Sequence, residues 1–245
     1  MASDNTSKMI DPSIFEYLKA HGEEQTEVSE KLSQITNTLN RHISTCQGLL
    51  SRIHSTPTAN LGPLLKQVED TGIKPEIESI GELSEFASKY PYYKYNQRWS
   101  RSVQNVVATM LLTAWLGGMG TDSRPGELGR LLTIEEVGEI LHVPVNLKDQ
   151  DAFHITIEEY LLALTEITEE LSRLAMNSVT MGDVALTVRI SSFIKDLFAG
   201  FQLLNLKNDI VRRRVDAVKY HVKKVEDVIY DLSLRNLLPK AEEQV

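Results

Sequence analysis

The chain has 245 residues, 42% of them hydrophobic, a single cysteine and a formal net charge of −8. A chain of this length buries roughly three quarters of the surface it exposes when unfolded, so its core needs neither disulfides nor a structural metal. The lone Cys46 excludes an internal disulfide and a cysteine-rich zinc site and points to the cytoplasm and nucleus, while the polar start lacks a signal-peptide pattern and the apolar run 106–116 is too short to span a membrane.

Helical periodicity dominates, and the chain reads as all-α: residues 1–10 a disordered N-terminus, 11–238 one helical domain, 239–245 a flexible tail. Asp11 followed by Pro12 suits a helix start, and the first helix is predicted to run to about His54. Pro57, Gly62 and Pro63 break it. Weaker pieces near 63–70 and 76–89, around Gly72 and Pro75, predict an interrupted second helix.

Pro91 opens the run PYYKYNQRWSR (91–101), predicted to continue as a third helix to about Leu116, where Gly117, Gly118 and Gly120 end it. The segment 117–130 is predicted as a surface loop. Thr133 with Glu136 and Thr156 with Glu159 form capping-box patterns, the first for a short helix ending near His142, the second for a long one through Ser178. A turn at Gly182 and Asp183 leads to a helix predicted from about Arg189 to Leu204. In the last helix Val211, Val215, Val218, Val222, Val225, Ile229 and Leu232 recur at alternating steps of four and three. Such a seam is either a core-facing stripe of a bundle or a coiled-coil partner surface. In both cases the basic residues between 212 and 224 lie off it.

The negative total hides an uneven distribution. Residues 1–80 carry 7 basic and 11 acidic side chains and residues 102–170 carry 3 and 12, whereas 81–101 carry 4 and 2 and 207–224 carry 7 and 2. Positive charge is therefore gathered in two places, as a phosphate-binding surface requires. In a continuous helix from Tyr92, Lys94, Arg98 and Arg101 share one face and Tyr95 and Trp99 another. A charged track beside aromatic planes is how single-strand binders hold backbone and bases. The other reading sends the aromatics into the core, and Trp99 is assigned there. The second basic run comprises Lys207, Arg212, Arg213, Arg214, Lys219, Lys223 and Lys224. Three consecutive arginines cannot all point one way on a helix, so about half of the seven are expected to reach a ligand.

Glu166 and Glu170, four apart, place two carboxylates on one helical face, as a magnesium-dependent nuclease would need. Alternatively, Glu169 and Glu170 are spaced to pair with Arg173. The six histidines show no paired ligand spacing, and a Walker-type phosphate loop is absent from the sequence.

LSRLAMNSVTMGD (171–183) and FQLLNLKNDIVRRRVDAVKYHVKKVEDVIYDLSLR (201–235) closely resemble the translin family, as do PYYKYN with Trp99 and FHITIEEYL (153–161). The resemblance covers nearly the whole chain, and the first run is spelled more like fungal members than animal ones. It implies an all-α protein of about seven helices in an elongated bundle, assembling into a hollow homo-octamer that binds single-stranded RNA and DNA on its inner surface without a cofactor. Carried over by motif, the nucleic-acid contacts are Lys94, Arg98, Lys207 and Arg213. Asn96 stands where animal relatives have histidine, Ser100 where they have arginine, and an arginine is lacking near Val28, so affinity or base preference is expected to differ. The resemblance also implies a partner, translin-associated factor X, in an Mg2+-dependent endoribonuclease of RNA silencing and transfer-RNA processing. There the partner supplies catalytic acids in two pairs on two helices. This chain matches one pair, Glu166 and Glu170, and its helix from Trp99 to Leu116 has no acid for the other. The implied role is the noncatalytic, RNA-binding scaffold subunit. The rivals are an Mg2+-dependent endoribonuclease in its own right using Glu166 and Glu170, and a purely structural helical adaptor.

Overall fold

The computed structural model of the chain describes residues 12–120, 126–148, 150–205 and 207–238. The expectations for 1–10, the Asp11 cap and 239–245 lie outside the described residues. Within them the structure is helical, and the isolated bridges Leu116–Leu128 and Val145–Ile155 are the only β pairings. Among the described residues no helix is long and apolar enough to cross a membrane. The all-α reading holds.

Helix α1 spans Pro12–Leu50, and its apolar residues Val28, Leu32, Ile35, Leu39, Ile43, Cys46 and Leu50 form one buried stripe at steps of four and three. A 3-10 turn, Ser51–Ser55, carries the chain off its end. The predicted break around Gly72 and Pro75 is corrected by the structure. Helices α2 (Leu61–Val68) and α3 (Lys74–Ala87) are joined without interruption through a π turn, Glu69–Ile73. Pro75 has no amide hydrogen for the preceding turn, and the widened turn lets the helix pass it. Gly72 packs on Cys46, where a Cβ would fall 2.8 Å from Sγ.

The predicted third helix is corrected too. It is a single turn α4 (Tyr92–Tyr95), a 3-10 turn Asn96–Arg98, and α5 (Ser100–Trp115). The break follows from burial: Tyr92 stacks on His154 at 4.3 Å between centroids, and Trp99 packs on Phe153 and Tyr92. All four are buried. Aromatic side chains of this size contribute about 1.5–3 kcal/mol each when buried, more than the loss of regular helix over two or three residues. Asp151 Oδ1 accepts from Tyr92 N at 2.7 Å and fixes the start of α4.

Both capping boxes form. Helix α6 is Ile134–Leu141, with His142 in the left-handed region at φ 55°, and α7 is Ile157–Thr180. The loop after α5 is tied down at its base, because Gly129 N donates to Trp115 O at 2.7 Å and Met119 N to Glu69 Oε1 at 2.6 Å. Helix α8 starts at Val184, five residues before the predicted Arg189, and ends at Gln202. Gly182, at φ 80°, makes the turn, and Asp183 Oδ1 caps the helix by accepting from Leu186 N.

Helix α9 is Asp209–Leu234. Val211, Val215, Val218, Val225 and Leu232 of its seam are buried, and Val222 and Ile229 are half-buried. The seam is thus the core-facing stripe. Helices α5 and α7 pack together at the centre, α1 lies across α3 and α5, and α8 and α9 pack on α7 and on each other.

Candidate nucleic-acid interface

The aromatic and basic run divides when it folds. Tyr92, Tyr95 and Trp99 turn inward, and Tyr93 alone of the run's aromatics stays out, 80% exposed, beside Lys94. Lys94 Nζ lies 5.2 Å from the centroid of the Tyr95 ring. The single basic face expected of a continuous helix is not formed, because the 3-10 turn changes the pitch between Lys94 and Arg101. Arg98 faces α1, with Nη1 3.4 Å from Ser33 Oγ. It borders an open groove of about 650 Å³ whose other walls are polar residues of α1, among them Gln25, Ser29, Ser33 and Asn37. Arg101 turns the other way, onto α7.

The second basic run is presented as the seam requires. Lys207, Arg212, Arg213, Arg214, Lys219 and Lys223 are exposed, and Lys224 is half-buried. Arg213 Nε donates to Asp209 O at 3.2 Å, which holds its guanidinium along the first turns of α9. His221 adds no charge to this track at neutral pH. Burial pushes its pKa down, and its Nδ1 shares a 2.9 Å hydrogen bond with Thr168 Oγ1 of α7.

The two runs, a hundred residues apart in sequence, meet at one pocket of about 480 Å³ between α1, α5, α7 and α9. Arg101 and Arg214 line it together with Arg173, Gln47, Ser51 and Asn105. Arg173 as a third cation here, and the polar face of α1, were not legible as parts of a site, since each depends on which helices pack together. Glu166, Glu169 and Glu170 line the same pocket.

These carboxylates do not fit a magnesium ion. Glu166 Oε1 accepts from Gln104 Nε2 at 2.7 Å and pairs with Arg101 Nη1 at 2.5 Å. Glu170 Oε2 is 2.9 Å from His54 Nε2 and 4.0 Å from Arg173 Nη1. The two side chains are drawn toward different elements, whereas Mg2+ needs several oxygens converging at about 2.0–2.1 Å. Among the described residues no group of three or more His, Cys, Asp or Glu side chains is placed to hold a metal. The expected pairing of Arg173 with Glu170 is present, at the outer limit of an ion pair.

The family model for the translin family matches residues 27–236. The chain is 34% identical to human (Homo sapiens) Translin over 228 residues, 91% of this chain and 92% of that protein. It is 33% identical to Translin-associated protein X of Rattus norvegicus over 82 residues, 33% of this chain and 28% of that protein. Among solved structures, apo-NeC3PO aligns with a TM-score of 0.63 at 17% identity, covering 87% of this chain and 95% of the other. An AfC3PO complex with duplex RNA also aligns at 0.63, with 15% identity and coverage of 92% and 99%. At those identities the two structures speak to the fold, which is shared over nearly its full length.

Proposed function

Since the chain belongs to the translin family, we propose that it is a single-stranded RNA- and DNA-binding protein that assembles into a homo-octamer and serves as the RNA-holding scaffold of an endoribonuclease complex. The observation that carries this reading is the exposure of Lys207 and the arginine row of α9, off a seam that is otherwise turned into the core of an acidic chain. Cations held this way neutralise phosphates without sacrificing packing. Each phosphate neutralised releases counterions and steepens the salt dependence of binding. Arg98 adds a second cationic site in the groove along α1, and the exposed ring of Tyr93 beside Lys94 offers a plane for a base.

Cleavage is assigned to the partner, translin-associated factor X, with Mg2+ bound by that partner's acids. RNA silencing and transfer-RNA processing are the cellular roles in keeping with such a complex, and cytoplasm and nucleus the compartments. The AfC3PO structure with duplex RNA supports RNA as the ligand class of this fold. Glu166 and Glu170 of α7, each engaged by protein donors, support a noncatalytic role for this chain.

The test is fluorescence anisotropy with a labelled single-stranded oligoribonucleotide, alongside native mass spectrometry for the assembly. The Lys94→Ala/Arg213→Ala double variant should bind at least tenfold more weakly, about 1.4 kcal/mol, and with a shallower salt slope. Unchanged affinity in the double variant would sink the assignment of the interface.

A further inference from the structure

The pocket holding Glu166 and Glu170 contains a cation of its own. Arg101 rises from the first turn of α5 and sets Nη1 against Glu166 Oε1, the oxygen that also accepts from Gln104 Nε2. The Glu166 side chain is 20% exposed and Arg101 59%, so the guanidinium lies on the solvent side of a largely buried carboxylate. We propose that Arg101 is a built-in counterion that occupies the acidic wall of this pocket in place of a divalent cation and closes the pocket to metal.

Three observations converge on this. A carboxylate so largely removed from water needs a positive charge or several donors, and Arg101 with Gln104 supplies both to one oxygen. Glu170, one turn further along α7, is turned away toward His54 on the 3-10 turn after α1, and His54 is in turn held through Nδ1 by Asn177 Nδ2 at 3.1 Å. The wall of α5 that faces both glutamates presents Asn105, Ala108 and Thr109, which carry no negative charge. A metal entering here would have to displace a charge-assisted hydrogen bond to reach Glu166, and the third carboxylate lining the pocket, Glu169, is exposed to water. A fixed arginine does the neutralising work at any metal concentration. The inference concerns the pocket alone and stands whether or not the chain binds RNA.

The experiment titrates Mn2+ into the full chain and reads free Mn2+ by its electron paramagnetic resonance signal. Wild type, Arg101→Ala, Ala108→Glu and the Arg101→Ala/Ala108→Glu double variant are compared, with circular dichroism and thermal unfolding verifying that each is folded. Ala108→Glu adds a third carboxylate to the α5 wall. Wild type should show no saturable binding. The double variant should bind Mn2+ about tenfold or more tighter than Ala108→Glu alone, and adding Glu166→Gln to it should abolish the gain. The proposal is overturned if wild type or Ala108→Glu alone binds as tightly as the double variant. It is equally overturned if a folded double variant binds no Mn2+, or binds it regardless of Glu166.

Discussion

Replacing Glu76 with glutamine tests whether the core of this fold contains a carboxylic acid that is neutral at physiological pH. Glu76 on α3 is fully buried, its Oε2 lies 2.8 Å from Thr109 Oγ1, and its Oε1 has no hydrogen-bond partner. Thr109 Oγ1 is also 2.8 Å from Val106 O. A threonine hydroxyl has one hydrogen to give. If it goes to the Val106 carbonyl, the Glu76 contact must be donated by the carboxyl itself, which therefore keeps its proton. Burial pushes the Glu76 pKa up to about 8, against the lowering effect of its contacts with Thr109 and Cys46, and the neighbouring Cys46 thiol is raised by burial and then by Glu76. The folded pKa lies above the unfolded value of 4.5, so the native state holds one more proton than the unfolded state between them. Stability is then greatest below the unfolded pKa and falls as pH rises toward 8, by at most about 1.4 kcal/mol per pH unit. Glutamine cannot ionise. The difference in unfolding free energy between Glu76→Gln and wild type, from urea melts at pH 5, 6, 7 and 8, should move toward the variant by about 1 kcal/mol or more per unit and level off above pH 8. All other titrating groups cancel in that difference. A pH-independent difference, or one that moves toward wild type as pH rises, refutes the neutral acid.

Thr156→Ala should cost about 0.5–2 kcal/mol by chemical denaturation, at the upper end of that range, because besides the cap it removes the hydroxyl that donates to the buried Glu159 carboxyl at 2.9 Å. Gly72→Ala should destabilise by about 1–3 kcal/mol. Cys46→Ala should restore less than half of it, since Cβ and Cα of residue 46 still lie 2.9 and 3.0 Å from the added methyl. Tyr93→Ala should weaken single-strand binding by about 1–3 kcal/mol with the salt slope unchanged, as expected of a stacking contact rather than a phosphate contact. An equal loss with a changed slope would mean that Tyr93 acts through Lys94.

Features written locally in the chain were legible. The Thr133 and Thr156 boxes predicted α6 and α7 within two residues, and the valine spacing marked the seam of α9, leaving its inward turn to the packing against α7 and α8. Asp183 was read as part of a turn, whereas its side chain caps α8, and the helix was therefore placed five residues late. The break between α4 and α5 has no glycine or proline to announce it; it is imposed by Phe153 and His154, fifty residues on, through contacts with Trp99 and Tyr92. That non-local cause is why Lys94, Arg98 and Arg101 were read as one face and proved to serve two different walls. Trp99 was assignable to the core from its type alone. The partners of Glu166 and Glu170 were half legible. Arg173 is on the same helix, whereas Arg101 and His54 arrive from elements whose neighbours the sequence does not state.

The π turn between α2 and α3 works as a vernier in the chain's register. A wide turn holds one residue more than the α-helix needs to cover the same arc, so removing Thr71 keeps the buried faces of α2 and α3 in phase, and the cost falls on Pro75, which loses the widened turn that accommodates it. Removing a residue from the middle of α3 has no such reserve. It swings everything on one side by about 100° and carries Ile80 or Leu83 out of the core. The Glu69–Ile73 segment is accordingly where a one-residue deletion leaves the buried faces of this helical stretch in register.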